Sequence, residues 1–453
     1  MSRLFGTDGV RGVANAELTP ELTFRIGRAG AAVLAHSSDR HRPVVVGRDT
    51  RLSGTMLEAA IVAGITSVGR DAVLLGIVPT PAVACVTRRE GAAAGVMISA
   101  SHNPIADNGV KFFGGDGFKL SDDIEREIES LVDSENLPRP IGTGVGVART
   151  AQNLARHYYR ELYESHADLH GLHVVVDAAY GAAFAIAPYA LRKLGATVTE
   201  LHCENDGARI NVACGATDLR TLQAAVREKI AAGEKRVVGV AFDGDADRAL
   251  FVDETGSVVG GDHVMFAIAS DMHARGELTH DAVVGTVMSN IGFERALQAR
   301  GIALVRAPVG DRYVLERMRE GGYALGGEQS GHVIDLRRNT TGDGPMTAAT
   351  LLGIAASQKT TLHDLVAAVV PAPQILVNVK TSRTDVLGVA GVRAAISAGQ
   401  SALEGTGRLF IRASGTEPLI RVMAEGDDRQ LVERVAACVA AEIEEEIGRS
   451  TQT

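Results

Sequence analysis

The sequence predicts an α/β protein: three similar α/β domains with mixed or parallel sheets, plus a smaller α+β C-terminal domain. Three observations predict it. The 453 residues suggest about three domains at a soft prior of about 150 residues each. Short Val/Ile-rich runs alternate with longer amphipathic stretches, the pattern of βαβ units. One design then recurs, a buried-strand run, a polar or small-residue turn and a helix. Val44-Val-Val-Gly-Arg-Asp-Thr leads into a helix over 55–64, Val174-Val-Val-Asp-Ala-Ala-Tyr into 184–194, and Val283-Val-Gly-Thr-Val-Met-Ser into 293–300.

Beyond Pro371 and Pro373 the pattern changes. Residues 374–380 alternate like a strand, 386–403 read as helix, and 408–412 and 419–424 as strands around a loop. Leu431, Val435, Cys438, Val439, Ile443 and Ile447 form an apolar stripe at helical spacing. The expected domains are 1–150, 151–256, 257–370 and 371–453. Linkers are expected at the Pro/Gly-rich 138–146 and at the turn around 254–261.

The chain has 51 glycines, 55 acidic against 46 basic residues, a net charge of −9, 4% aromatics and no tryptophan. That balance excludes nucleic acid or an anionic membrane as the main partner, and the few aromatics argue against a stacking platform. A small polar substrate held by backbone and charged groups suits so many glycines. The opening residues carry no apolar run behind their charges, so they do not read as a secretory signal. Nowhere do 18 apolar residues run together. Cys85, Cys203, Cys214 and Cys438 form no CxxC pair and read as buried or incidental thiols in a reducing compartment. A cytoplasmic address follows.

Asp243-Gly-Asp-Ala-Asp-Arg248 is the sharpest chemical signal. Carboxylates at i, i+2 and i+4 share one side of an extended chain and repel unless a hard cation sits between them. A calcium EF-hand fits positions 1, 3, 5 and 12 (Glu254). It fails at position 6, where Arg248 replaces the glycine of the sharp turn, and at the flanks, which read as strands. A solvated acidic turn is the blander alternative. Magnesium in an open site is the better reading.

In Gly95-Val-Met-Ile-Ser-Ala-Ser-His-Asn-Pro104 an apolar strand runs into a short polar segment. Ser101 at such a strand end can serve as a nucleophile. His102 beside it is expected to be structural, since neighbours in an extended chain face opposite sides. Taken alone the segment also reads as a tight turn. Lys111 follows in a strand-like run that can return it to the same site.

Two further loops complete the set. In Gly326-Gly-Glu-Gln-Ser-Gly-His332, Glu328, Ser330 and His332 alternate onto one face, suited to a row of sugar hydroxyls; a polar hairpin is the alternative. Arg412-Ala-Ser-Gly-Thr-Glu-Pro418, followed by Arg421, can present successive N–H groups as an anion nest with guanidiniums beside it. Phe5-Gly-Thr-Asp-Gly-Val-Arg-Gly12 can bring Arg11 to a phosphate. Gly47-Arg-Asp-Thr-Arg-Leu-Ser-Gly54 is a turn and helix start. No Walker A loop or GxGxxG fingerprint asks for ATP or NAD. A serine nucleophile, a three-carboxylate metal site, a hydroxyl-reading loop and a phosphate nest together specify phosphoryl transfer on a sugar phosphate.

These motifs resemble those of the α-D-phosphohexomutase superfamily across 5–425, a resemblance that implies four domains around a central cleft. Residues 98–104 are similar to its phosphoserine loop, 243–248 to its metal loop, 327–332 to its sugar loop and 412–418 to its phosphate loop. Asn211-Val-Ala-Cys-Gly-Ala-Thr-Asp218 and 5–12 favour the glucosamine branch over the phosphoglucomutase/phosphomannomutase branch. The resemblance implies a magnesium-dependent isomerase that interconverts glucosamine 6-phosphate and glucosamine 1-phosphate through glucosamine 1,6-bisphosphate, feeding UDP-N-acetylglucosamine and cell-wall precursors. It implies a phosphate on Ser101, which joins Asp243, Asp245 and Asp247 as metal ligand. It makes Lys111 the general base, assisted by Arg11 and His332. Arg248, Glu328 and Ser330 would bind the sugar, and Arg412, Ser414, Gly415, Thr416 and Arg421 the phosphate that is not reacting. A homodimer is among the expected assemblies, and a metal-dependent sugar phosphatase is the alternative outside the mutases. Two departures stand out: Tyr180 follows Asp177-Ala-Ala where asparagine is expected, so Asp177 is assigned no role, and Ile105-Ala106 replaces a bulkier pair.

Overall fold

The computed structural model describes residues 4–6, 8–34, 42–164, 168–381, 383–413 and 418–450. Its chain forms two compact units, Met1–Thr286 with Val305–Ala367, and Val287–Leu304 with Ala368–Thr453.

The continuous apolar runs of the first unit become central strands because both faces of its sheet are covered. In the run Val44–Arg48, Val44 and Val46 belong to one buried cluster with Ile26, Leu57 and Ile61. Val45 belongs to another with Val83, Tyr158 and Leu162. Period-two alternation therefore sends neighbours to opposite helix layers. This first sheet is mixed: Val10–Val13, Asp107–Gly114, Ala94–Ile98, Val44–Arg48, Ala72–Ile77 and Ala148–Thr150, in that spatial order. Val44–Arg48 is parallel to both neighbours, whereas Asp107–Gly114 runs antiparallel to both of its own. The expected linker 138–146 leads into the edge strand Ala148–Thr150 of this sheet.

A second sheet orders Val258–Val259, Ala249–Val252, Val237–Phe242, His173–Asp177 and Thr197–Leu201. Its last three strands are parallel. The segment 254–261, expected as a linker, instead closes a hairpin, because Val258 and Val259 pair with Val252 and Phe251. Asp253 Oδ1 accepts the N–H groups of Thr255 and Ser257 and makes the turn. A third sheet orders Ala303–Ala307, Ala282–Thr286, Leu325–Gly327 and Val333–Asp335.

Three antiparallel strands, Gln374–Lys380, Leu419–Gly426 and Gly407–Ala413, form the C-terminal sheet. The helix expected over 386–403 is a 3₁₀ turn, Asp385–Gly388, then a helix, Ala390–Ala402, with extended Val389 between them. The final helix Arg429–Ser450 buries Val432, Val435, Ala436, Val439 and Ile443. The true stripe is thus turned toward Val432 and Ala436, and Cys438, expected within it, is exposed. No helix among the described residues is long and apolar enough to cross a membrane.

The helices Pro20–Leu34 and Gly54–Ser67 approach through glycine. A Cβ on Gly64 would stand 2.3 Å from the Phe24 carbonyl oxygen, and one on Gly27 would stand 2.6 Å from that of Ile61. Gly64→Ala should therefore force the helices apart and cost about 1–3 kcal/mol, read as a lower denaturant midpoint with an unchanged slope.

Candidate active site

Ser101 follows the strand Ala94–Ile98 and is buried. Its φ of +51° is rare for a residue with a Cβ and must be held by its surroundings. Arg51 does much of that holding. Its fully buried guanidinium donates to the carbonyls of Ser101 (2.9 Å), Asn103 (2.8 Å), Pro104 (2.6 Å) and Asp107 (2.9 Å), and through Nε to Asp49 Oδ2 (3.1 Å). The same Asp49 oxygen accepts Ser99 Oγ (2.6 Å), and Ser99 Oγ accepts the Ser101 N–H (2.9 Å). Asn211 Nδ2 also donates to the Ser101 carbonyl (2.8 Å). The segment 47–54, read from sequence as a turn and helix start, is thus the scaffold of the serine loop.

Ser101 Oγ donates to Asp243 Oδ2 at 2.5 Å. His102 was expected to face away; its Nδ1 lies 3.3 Å from Ser101 Oγ. The rule for extended chains lapses because Ser101 is in the left-handed region. Burial, then the charges of Arg248 and Arg11, push the His102 pKa down to about 4, so the ring is neutral.

Asp243, Asp245 and Asp247 leave the end of strand Val237–Phe242 in a tight turn, with Ala246 at φ +57°. The expectation of an extended run is corrected here, yet the turn still brings one oxygen of each carboxylate within 4.8 Å of the others. All three are buried, and Asp245 Oδ1 and Asp247 Oδ1 lack a hydrogen-bond partner. Burial, then Asp247 and Asp245, holds Asp243 well above the usual carboxylate range. Burial also raises Asp247, with Asp245 adding to it. For Asp245 burial acts upward, but Lys111 outweighs it and the carboxyl stays ionised. An all-oxygen donor set with unpartnered buried oxygens fits a hard divalent cation.

The strand Asp107–Gly114 returns Lys111 to these carboxylates, as its register opposite Met97 requires. Lys111 Nζ lies 2.8 Å from Asp245, 2.9 Å from Asp8 and 3.7 Å from Asp247. Burial opposes its charge, but Asp245, Asp8 and Asp247 outweigh it and raise its pKa. Asp8 also accepts from Lys119 (2.5 Å) and pairs with Arg11. Lys119 pairs with Asp311, and Asp311 Oδ2 lies 3.3 Å from His332 Nε2, which is 3.8 Å from Asp247. Charges of alternating sign thus run from buried Asp245 through Lys111, Asp8 and Lys119 to Asp311, and His332 stands between Asp311 and Asp247. Arg11 Nη1 donates to Asn103 Oδ1 (3.0 Å) on the serine loop, and Arg248 Nε stands 3.9 Å from Asp247.

Glu328, Ser330 and His332 do not form one row. Their segment joins strands Leu325–Gly327 and Val333–Asp335, and Gly331 at φ +92° reverses it. His332 is buried toward Asp311 and Asp247. Half-buried Glu328 accepts the Gly310 N–H (2.9 Å) and the Ser330 hydroxyl (3.3 Å). In the second unit, Arg412 and Arg421 are directly opposed across two antiparallel strands. Ser414, Gly415 and Thr416 lie outside the described residues.

Asp8, Asp49, Arg51, Thr80, Lys119, Asn211 and Asp311 were missed as site residues. The first three stand in glycine-bounded motifs that the sequence does mark, and Asn211 opens one. Asp177, given no role, accepts the N–H groups of Ala179 (2.9 Å) and Gly215 (3.0 Å) and so shapes the turn carrying Asn211. Tyr180 accepts Arg209 Nη1 (2.7 Å) beneath the guanidinium. Asp177, His202 and Cys214 also bring donor atoms within 4.8 Å, but both Asp177 oxygens already hold backbone.

Arg51→Lys keeps the charge and loses the fork that spans four carbonyls. It should cost at least about 3 kcal/mol in denaturant unfolding; a change under 1 kcal/mol would show that the clamp is dispensable.

Family models of phosphoglucomutase/phosphomannomutase match along the chain: alpha/beta/alpha domain I at 2–139, domain II at 156–256, domain III at 260–372 and the C-terminal domain at 376–442. A phosphoglucosamine mutase of Thermoanaerobacter sp. (strain X514) is 50% identical over 453 residues, covering 99% of this chain and 100% of that protein. Among solved structures, a phosphoglucomutase/phosphomannomutase family protein from Burkholderia thailandensis superposes with a TM-score of 0.84 at 23% identity, covering 98% of both chains. An Aspergillus fumigatus N-acetylphosphoglucosamine mutase in complex with GlcNAc-6P and magnesium gives 0.67 at 19% identity, covering 98% of this chain and 96% of that one. With a full-length relative at half identity and all four domain models in order, the chain belongs to the phosphoglucosamine mutases of the phosphohexomutase superfamily.

Proposed function

We propose that this enzyme interconverts glucosamine 6-phosphate and glucosamine 1-phosphate through a phosphoserine at Ser101. The observation that carries the reading is the Ser101 hydroxyl held 2.5 Å from Asp243, at the edge of a buried carboxylate trio. The full-length phosphoglucosamine mutase relative supports the sugar.

In the first half-reaction the sugar O1 attacks the phosphorus on Ser101, the Ser101 Oγ–P bond breaks, and the sugar becomes a 1,6-bisphosphate. In the second, Ser101 Oγ attacks the 6-phosphate, the O6–P bond breaks, and glucosamine 1-phosphate leaves. Asp243, Asp245, Asp247 and phospho-Ser101 would hold magnesium, which supplies charge neutralisation for the transferring phosphoryl group. The hard oxygen donor set and the magnesium in the fungal mutase complex favour that ion.

Lys111 is the proposed base for the attacking hydroxyl. Its charge is sustained by Asp245, Asp8 and Asp247, so its neutral form requires those charges to be engaged elsewhere. Arg11, bound to the serine loop, orients the phosphoryl group, and His332, anchored to Asp311, assists. Arg248, Glu328 and Ser330 read the sugar. Arg412 and Arg421 stand directly opposite each other on neighbouring strands. With Ser414, Gly415 and Thr416 they would hold the phosphate that is not reacting. One grip and a hydroxyl reader permit two substrate poses. The four free thiols favour a cytoplasmic setting, where the product would feed UDP-N-acetylglucosamine synthesis.

Intact mass of purified protein should show one phosphate, absent from an inactive Ser101→Ala; full activity without the phosphate overturns the reading. kcat/KM should favour glucosamine 6-phosphate over glucose 6-phosphate, and a preference for glucose places the enzyme on the phosphoglucomutase branch. Asp245→Asn should lower kcat about 10²–10³-fold, or about 3–4 kcal/mol, and chelation of divalent cations should abolish turnover reversibly. Wild-type rates in either condition would remove the metal assignment.

A further inference from the structure

A cavity of about 510 Å³ opens in the first unit, lined by Arg88, Arg89, Arg160, Arg337, Arg338 and Glu161, with none of the proposed catalytic residues in its wall. Five guanidiniums converge here in a chain whose net charge is −9, so this is a local device and not a reflection of overall charge. Three of the five already have partners, Arg160 among them. Arg89 Nε is paired with Glu161 (2.8 Å), and Arg337 with Asp335 (2.7 Å) and Glu277. His157, also in the wall, stands 3.2 Å from Glu90. Among the described residues, the side chains of Arg88 and Arg338 have no ion-pair or hydrogen-bond partner.

We propose that this cavity is a second anion site, apart from the catalytic centre, that takes a small molecule bearing a diphosphate. The volume lies within the ordinary range of small-ligand sites. The planar fork of arginine matches phosphate oxygens in pairs. The two guanidiniums without partners, Arg88 and Arg338, together match the two phosphoryl groups of a diphosphate. A concave wall also suits a compact ligand better than a polymer backbone.

Two helices of the cavity wall are tied to the metal loop. Arg88 and Arg89 end the helix Thr80–Arg89, which begins with Thr80 donating to Asp245 through its N–H (2.9 Å) and through Oγ1 (2.6 Å). Met346, also in the wall, lies in the first turn of the helix Gly344–Ser357, whose Gly344 N–H donates to the Ala246 carbonyl (3.0 Å). Two successive carbonyls of the metal loop are therefore held by the two helices that line the cavity. A ligand drawing them together acts on Asp245 from outside the catalytic site.

The test is calorimetric titration of the full chain with inorganic pyrophosphate, at low ionic strength without divalent cations, with saturating glucosamine 6-phosphate present. One equivalent should bind. The double variant Arg88→Gln/Arg338→Gln should bind at least about tenfold more weakly while kcat/KM for the sugar phosphate stays within about twofold. If the double variant melts early, each single variant should show a weakening of about threefold or more. Equal affinity in the variants, no binding to the wild type, or displacement by glucosamine 6-phosphate overturns the site. The comparison of variants reads the cavity whichever sugar phosphate the catalytic site takes.

Discussion

Three carboxylates packed behind a buried strand end place a constraint on everything near them. Removing charge from water costs several kcal/mol per ion, and like charges at a few ångströms add to it. The chain answers with charges of alternating sign, Asp245, Lys111, Asp8, Lys119 and Asp311, and with the His332 ring between Asp311 and Asp247. The partners of Asp245 and Asp247 arrive on different elements. Lys111 comes from an antiparallel strand, Asp8 from the loop before the first strand, Asp311 from a helix start and His332 from a hairpin. If that strand slipped by one residue, Lys111 would face the other helix layer and the trio would lose its nearest cation. The carboxylates therefore dictate strand register as well as chemistry.

Backbone straps complement the charges. The metal loop is held through the carbonyls of Gly244, Asp245 and Ala246 by the N–H groups of Ala182, Thr80 and Gly344. The serine loop is held through its own carbonyls by Arg51 and Asn211. Both loops contain a left-handed residue with a Cβ, Ser101 and Ala246, a conformation that persists only where surroundings over-determine it. Phosphoryl transfer depends on positioning and on fixed charge, and rigid loops joined by Ser101 and Asp243 serve that need. They also explain how an acidic protein can handle an anionic substrate: local cations decide the sign at the site, and the global excess of carboxylates does not.

Much of this was legible in the sequence. Buried strands announce themselves as apolar runs, and a dense acidic turn behind such a run has few explanations besides a cation. Three of the errors share one cause. His102, the acidic loop and the row Glu328, Ser330, His332 were placed by the alternation of an extended chain, whereas left-handed Ser101, Ala246 and Gly331 reverse the chain at those points. Cys438 was placed on the core stripe by spacing alone, and the helix is rotated so that Ala436 and Val432 pack instead.

By itself, then, the sequence determined the α/β class and marked the loops from which the candidate site groups come, because these depend on local pattern and side-chain chemistry. Only the tertiary structure decided who answers the buried charges. Asp8 meets Lys111, Arg51 meets the carbonyl of Ser101, and Thr80 meets Asp245, pairs separated by tens to hundreds of residues. Neither spacing nor composition encodes such partners. They are selected by the cost of leaving a buried ion or a backbone carbonyl without one, and that cost exists only once the core has closed around it.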